Sequence, residues 1–419
     1  MKKLLLKIIY HTLALFARFY IYRTKPVVIG VTGSVGKTSC RMIIYQVLQK
    51  YLKDKTIYTS PKNFNSELGI IFSIFRIEKY NPSIFSLIKI IFVVIKKTIF
   101  SHRYYDILVL EYGVDHPGDM DFLLSIIKPD ISIFTKLDYI HAENFSSKEA
   151  IGQEKFKLIK ATKKKTYLNN DDEFLSTNYN SIKIEKEFFN TKLLASKYEK
   201  HWASIFSKII FDGKNIKTNI LGKENHLYIE LAYKILLDFG VDIVGEQFLE
   251  LQNQPGRFSI FPGIKDSILI DSTYNAGPES MKVMIENTIE LRDKLFPDYK
   301  LGFVIGDMRE LGDVSENEHK KLYKLVEDKD LIVSIGKETK ESFPEEIKNF
   351  TNSHDAGVYL KDFLLSKSDK YLILFKGSQN TIFIEETLKQ VLKDKSFEKN
   401  LVRQDKIWIE KKKYLSNFG

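Results

Sequence analysis

The chain has 419 residues, enough for two or three domains at about 150 residues each. Hydrophobic residues make up 44% and charged residues 28%, a globular composition that excludes a disordered, collagen-like or wholly membrane-embedded protein. The net charge of +10 suits nucleic acid, a phosphate-rich substrate or an anionic membrane, and the single cysteine, Cys40, excludes an intrachain disulfide or a cysteine-rich zinc site and favours a reducing cytoplasmic setting.

Residues 1–25 begin like a signal peptide but carry no small-residue cleavage site. Lys2, Lys3, Lys7, Arg18 and Arg23 break the apolar run well short of the ~20 residues that cross a bilayer. Two readings fit: a helix lying in the membrane interface, or a helix packed on the protein's own core. Residues 84–100, IFSLIKIIFVVIKKTIF, repeat this chemistry inside an apolar and basic insert at about 80–101, as a second interfacial segment or as half of a buried hairpin.

Between them, PVVIGVTGSVGKTSCRMIIYQVLQKYL reads as a strand at Val27–Val31, a glycine turn, and an apolar-periodic helix from Thr38 to about Leu52. Strand candidates at Ile107–Glu111, Ile131–Thr135 and Thr166–Leu168 alternate with helices at Asp121–Ile127 and Glu149–Ala161, which predicts a mostly parallel sheet. After a helix near Leu227–Phe239, the turn-rich QNQPGRF at 252–258 reads as a boundary. A second series follows, with strands at Ile268–Asp271, Leu301–Ile305, Leu331–Ser334 and Leu372–Phe375 and helices near Glu279–Leu295, Glu316–Val326, His354–Leu365 and Ile384–Leu392. The fold class is α/β: a central domain at 26–253 with a phosphate loop and a mostly parallel sheet, then a Rossmann-like α/β domain at 254–419, with 1–25 as an amphipathic amino-terminal helix.

In TGSVGKTS, Gly33 and Gly36 let the backbone of Ser34 and its neighbours face a phosphate chain, Lys37 neutralises phosphate charge, and Thr38 and Ser39 open the helix, Thr38 with a hydroxyl for Mg²⁺. Val31 stands where the long form of this motif has its first glycine, so the loop is the shorter G-x-x-G-K-T variant. ATP is the nucleotide this predicts. A metal beside such a loop needs hard oxygen or imidazole ligands at neighbouring strand ends. Glu111 ends the strand ILVLE, and His141 follows the strand ISIFT; each also reads as an ordinary surface group. Asp115 and His116 in GVDHPGDM read equally as turn formers.

These residues resemble the Mur ligases, and within them the MurF type. TGSVGKTS is similar to that family's phosphate loop, SPKNFNSELG at 60–69 to its asparagine-rich substrate loop, and LEYGVDHPGDM at 110–120 to its Glu-containing strand end. KPDISIFTKLDYIHAENFSS at 128–147 resembles the segment carrying a metal-binding histidine. Then PGRF at 255–258, DSTYNAGPESM at 271–281, GDMRELG at 306–312 and FKGSQNTIFIE at 375–385 follow in family order, so the resemblance spans about residues 26–395.

The resemblance implies an ATP-dependent ligase that joins a carboxylate to an amine through an acyl phosphate, adding D-Ala-D-Ala or a similar component to a peptidoglycan precursor peptide. It implies that Thr38 and Glu111 hold one Mg²⁺, and that Glu111, His141 and a carbamylated Lys155 hold a second. Without the resemblance, Lys155 reads as part of a solvated helix face with Lys157 and Lys160. It further implies nucleotide contacts from Asn225, Arg257 and Asp271, and substrate contacts from Asn63, Asn65, Glu67, Asn275, Asp307, Lys376 and Ser378. The chain departs from the pattern in three places. Only about 25 residues precede the phosphate-loop strand, where a standard member has a uridine-diphosphate-binding domain; Asp271 is followed by Ser272 where two acids are usual; and Gln379 replaces the arginine of KGSR. Alternatives are a folylpolyglutamate or poly-γ-glutamate synthase, or a non-catalytic ATP-binding membrane scaffold. A nucleic-acid binder is disfavoured, since the basic residues are scattered and no reading motif is present. The expected location is cytoplasmic, peripheral to the inner membrane face if the apolar segments are interfacial.

Overall fold

The computed structural model describes residues 2–61, 64–78, 84–100, 104–139, 142–190, 195–201, 204–379 and 381–415. The first half opens with α1 (Lys2–Thr24) and then alternates: β1 (Val27–Thr32), α2 (Lys37–Tyr51), β2 (Ile57–Thr59), α3 (Glu67–Ile74), α4 (Ile84–Phe100), β3 (Ile107–Glu111), α5 (Asp119–Ile126), β4 (Ile131–Phe134), α6 (Lys148–Ala161), β5 (Lys165–Asn169), α7 (Glu173–Asn178) and β6 (Glu185–Phe189). Its strands pair in the order β2-β3-β1-β4-β5-β6, every pair parallel. Helices cover both faces of such a sheet, so β3 and β4 are buried throughout and read as unbroken apolar runs rather than alternating ones.

A second sheet follows in β7 (Ala195–His201), β8 (Ser204–Phe211) and β9 (Lys214–Thr218), then α8 (Lys223–Asp238) and β10 (Glu246–Leu249), in the order β10-β9-β8-β7. Its β7–β8 and β8–β9 pairs are antiparallel. Ile209, Phe211 and Ile216 of this sheet join α2 and α8 in the core on one side of the parallel sheet. The other side is covered by α1, α3, α4 and α5, through residues such as Ala17, Tyr20, Ile71, Val94 and Leu123. Both apolar segments are therefore helices with one face in the core. Leu13, Ala14, Ala17 and Tyr20 of α1 are buried, while Leu15, Phe19 and Tyr22 remain exposed.

The second half contains β11 (Ser259–Pro262), β12 (Ile268–Asp271), α9 (Pro278–Leu295), β13 (Lys300–Gly306), α10 (Ser315–Lys324), β14 (Leu331–Ile335), α11 (Lys337–Ser342), β15 (Lys348–Phe350), α12 (Ser353–Ser366), β16 (Tyr371–Lys376), α13 (Glu385–Val391) and α14 (Lys406–Leu415). The order is β11-β12-β16-β13-β14-β15, parallel except where β11 runs against β12. Register levels the carboxyl ends that matter. Val31 lies opposite Glu111 and Thr32 opposite Phe134, while Asp271 lies opposite Phe375 and Ile305 opposite Lys376. Ligands of open α/β sheets bind at such strand ends. Here the loops of the two parallel sheets meet: Lys136 Nζ lies 2.6 Å from Glu279 Oε2, and the Glu279 N–H donates to Asp138 Oδ2 at 3.1 Å.

Candidate functional site

The loop between β1 and α2 takes its shape from two glycines. Gly33 has φ 135° and Gly36 φ 83°, both in the region that side chains avoid. A Cβ on Gly33 would stand 2.1 Å from Thr135 Oγ1, and one on Gly36 1.9 Å from the Tyr228 hydroxyl. The loop is thus pressed between the β4 end and α8. Ser34 and Val35 N–H groups donate to the Lys136 carbonyl, and Ser34 Oγ donates to the Asp138 carbonyl, fixing the loop to the β4 strand end. Lys37 folds back and donates to the Ser34 carbonyl at 2.9 Å. Burial lowers its pKa against the opposing pull of Glu111, and Arg257 lowers it further.

Glu111 is the electrostatic centre. Its Oε2 accepts from Thr38 Oγ1 at 2.9 Å and lies 3.4 Å from Arg41 Nε, and its Oε1 accepts from Asn65 Nδ2 at 3.2 Å. Burial pushes the Glu111 pKa up, but Arg41, Lys37, the Thr38 hydroxyl and Arg257 outweigh it and hold the carboxyl ionised. Arg41 also donates from Nη1 to Thr59 Oγ1 and to the Ser60 carbonyl, both at 2.6 Å, so it ties α2 to the loop after β2. Sequence reasoning missed Arg41. Its signal is position: four residues after Lys37, it shares that lysine's helix face.

Lys155 is 1% exposed, turned inward from α6. It is no part of a solvated face. The preceding residue anchors the helix, since Glu154 Oε1 accepts from the Gly118 and Met120 N–H groups at the start of α5. Burial and then Lys37 bring the Lys155 pKa down to about 7, while Asp115, Glu154 and Glu111 pull the other way. A buried amine near neutrality is nucleophilic enough to take up CO₂ as a carbamate.

Thr38, Arg257, Tyr274 and Gln379 line a cavity of about 520 Å³, whose far wall is Val402, Arg403 and Trp408. The same four residues border a polar recess of about 260 Å³ formed with Ser34, Lys37, Asn65, Glu111, Asp115 and Lys376. Beside it, Tyr228, Phe258 and Met284 make an apolar crevice that also carries Ser39, Asn225 and Lys136. The Arg257 guanidinium stacks 4.1 Å from the Tyr274 ring and borders all three. The donor chemistry fits a magnesium nucleotide: glycine-shaped backbone, Lys37 and Arg257 for phosphate charge, and the Thr38 hydroxyl with the Glu111 carboxylate as hard oxygen donors.

Of the remaining expected residues, Asn275 borders the recess, and its carbonyl accepts from Lys376 Nζ at 2.7 Å. Burial, with help from Arg257, lowers the Lys376 pKa to about 7. Three residues depart from expectation. Asp271 is fully buried and caps its own turn, accepting from Gly256 N and from Thr273 N and Oγ1, so its oxygens do not reach the cavity walls. Asp307 accepts from Thr339 N and Oγ1, and Ser378 Oγ accepts from Arg309 N; both lock strand ends together instead of facing the recess. Asn63 and His141 lie outside the described residues, as does the side chain of Glu67. Among the described residues no group of three or more His, Cys, Asp and Glu could hold a metal.

Residues 31–229 match the family model of the Mur ligase middle domain. The chain is thus similar to the Mur ligases, and to the MurF type among them. UDP-N-acetylmuramoyl-tripeptide--D-alanyl-D-alanine ligase of Borreliella burgdorferi is 27% identical over 87% of this chain and 74% of its own length. The Bacillus subtilis ligase of the same name is 25% identical over 90% of this chain and 78% of its own. In fold, the MurF-like chain matches the crystal structure of MurF ligase from Thermotoga maritima in complex with ADP, at TM-score 0.73 and 24% identity, covering 94% of this chain and 85% of that one.

Proposed function

We propose that this chain is an ATP-dependent carboxylate–amine ligase that adds D-Ala-D-Ala, or a similar amino component, to a peptidoglycan precursor peptide. The observation that carries the reading is the convergence on one recess of Lys37, the bonded Thr38–Glu111 pair and Arg257, with a buried, near-neutral Lys155 behind them. On this reading residues 26–253 hold the nucleotide and 254–419 close over it, Arg257 and Lys376 reaching across the junction.

The substrate carboxylate attacks the γ-phosphorus of ATP, the bond to the β-phosphate oxygen breaks, and ADP leaves an acyl phosphate. The amine then attacks the acyl carbon, loses a proton, and expels phosphate as the amide forms. Lys37 moves from the Ser34 carbonyl onto the phosphate chain, where its charge counts most as negative charge spreads over the transferring group. Arg257 does the same from the other side. Magnesium, held by Thr38 and Glu111, would neutralise phosphate charge; a second ion would use Glu111, His141 and the Lys155 carbamate. Asn65 orients Glu111, and Asn225 and Ser39 border the crevice suited to the adenine end. Such a chain would work on the cytoplasmic side, peripheral to the membrane where envelope precursors are assembled.

The test is purified protein with ATP, Mg²⁺, D-Ala-D-Ala and a panel of precursor peptides, nucleotide-linked and lipid-linked, following ADP release and product mass. Mass gain of the dipeptide on one acceptor is expected. Glutamate addition to a folate or polyglutamate acceptor would replace the reading with the synthase alternative. Binding of ATP without ADP release on any acceptor would leave only the scaffold.

A further inference from the structure

Half of the strongly exposed large apolar side chains among the described residues sit on α1 and α4. On α1 they are Ile8, Leu15, Phe19 and Tyr22, and on α4 Ile88, Phe92, Ile99 and Phe100. The α1 set falls on one stripe at three-, four- or seven-residue steps, as do Ile88, Phe92 and Ile99 of α4, with Phe100 beside Ile99 at the helix end. The two helices lie together, with Arg23 Nη1 donating to the Ile99 carbonyl at 3.0 Å, so their carboxyl ends are side by side. Tyr22, Phe92 and Phe100 are 75%, 69% and 75% exposed, although the inner faces of the same helices are fully packed. Core packing explains those inner faces and leaves the outer stripes without a purpose in the isolated chain.

We propose that the outer face of the α1–α4 pair docks on an anionic lipid surface, lying in the headgroup region without crossing it. The proposal takes up the peripheral placement above, names the surface and the lipid class, and stands or falls apart from the ligase chemistry. Charge selects the occupant. Neither helix contains an Asp or Glu, and Arg18, Lys25, Lys89 and Lys96 are exposed on or beside them. A second copy of this chain would bring the same cations against each other, whereas acidic headgroups complement them. No helix among the described residues is long and apolar enough to cross a membrane, which fits a helix pair lying flat. Aromatic residues at the margins suit the boundary between headgroups and acyl chains.

The experiment is flotation of the full chain with vesicles of phosphatidylcholine alone or mixed with phosphatidylglycerol, at low and high salt. The partner measurements are thermal melting, sedimentation and ADP release in solution. Wild type is expected to float with the anionic vesicles at low salt, with the bound fraction falling about tenfold in high salt or without the acidic lipid. The exposed-stripe variant Leu15→Ser/Phe19→Ser/Phe92→Ser should lose flotation with melting unchanged. Should that variant melt early, Lys89→Gln/Lys96→Gln decides, since these side chains are exposed and their loss should lower flotation alone. Wild type that never floats, variants that float equally, or a wild-type dimer that the stripe variant converts to monomer would each overturn the proposal. Flotation without ADP release on any acceptor would sustain the surface and remove the ligase reading.

Discussion

At the scale of single residues, the site works by setting strong charges against burial. Lys37→Ala should cut ADP release by ~10²–10³ while the fold persists, because it removes one preorganised charge from a loop whose backbone survives; steady-state turnover with a melting curve checks this, and near-native turnover would sink the nucleotide assignment. Arg41→Met should lower stability by about 3 kcal/mol in urea titration, since Glu111 stays buried after losing its nearest cation. It should also raise the magnesium concentration needed for turnover. Lys155 gives a pH signature. Its folded pKa, about 7, lies below the unfolded value of 10.5, so the folded chain binds fewer protons between those pH values. Stability rises with pH across that window, and the penalty is fully present below about pH 7. Carbamate formation needs the neutral amine, so ADP release should climb as pH passes about 7 and respond to added bicarbonate, and Lys155→Ala should flatten both responses. Most of these groups were legible in the sequence because they sit in one short motif or at a strand end. Arg41 was not, because a mid-helix arginine reads as solvated until Glu111 and Thr59 are brought against it from other strands. Asp271 misled for the opposite reason. An acid before TYNA looks like a ligand, and only the folded turn shows Gly256 and Thr273 occupying its oxygens.

Single elements carry a second kind of information. The β1–loop–α2 unit was plain from its apolar run, its glycines and its helix period, because each local preference there agrees with the final structure. Gly36→Ala tests how far the loop tolerates change. Forcing a side chain into that left-handed conformation costs roughly 1–2 kcal/mol, and the Tyr228 hydroxyl occupies the space a Cβ would need. Nucleotide affinity should therefore fall far more than stability, which titration calorimetry beside a melting curve would show; unchanged affinity would mean the loop is not the phosphate site. The sheet β7-β8-β9-β10 was invisible to the same reading. ASKYEKH is mostly polar and SIFSKIIF carries runs of adjacent apolar residues, so neither shows the period-2 alternation that marks a strand.

For the whole molecule, the two parallel sheets were expected and are found, since βα alternation leaves few topologies. How they face each other depends on contacts such as Lys136 with Glu279, between residues distant along the chain. The amino-terminal helix shows the limit of a sequence reading that offered core or membrane as exclusive choices, because α1 packs one face in the core and leaves an apolar stripe exposed on the other. Deleting residues 1–25 should thus destabilise the chain. Losing the burial of Leu13 and Tyr20 alone is worth roughly 3–6 kcal/mol, so the urea midpoint should fall, and an unchanged midpoint would refute the core role of the inner face.

That inner face also sets a schedule for synthesis. The residues that cover it, Ile71, Val94 and Leu123 among them, follow α1 well along the chain and are made after it. At ordinary elongation rates the helix waits roughly 5–20 s for its partners. Throughout that interval the inner face is bare as well as the stripe of Leu15, Phe19 and Tyr22, and a nearby bilayer or a holding chaperone would shelter it. Synthesis in a cell-free system without vesicles or a holding chaperone should therefore leave more of this chain aggregated than synthesis with either added, even when the finished protein is stable.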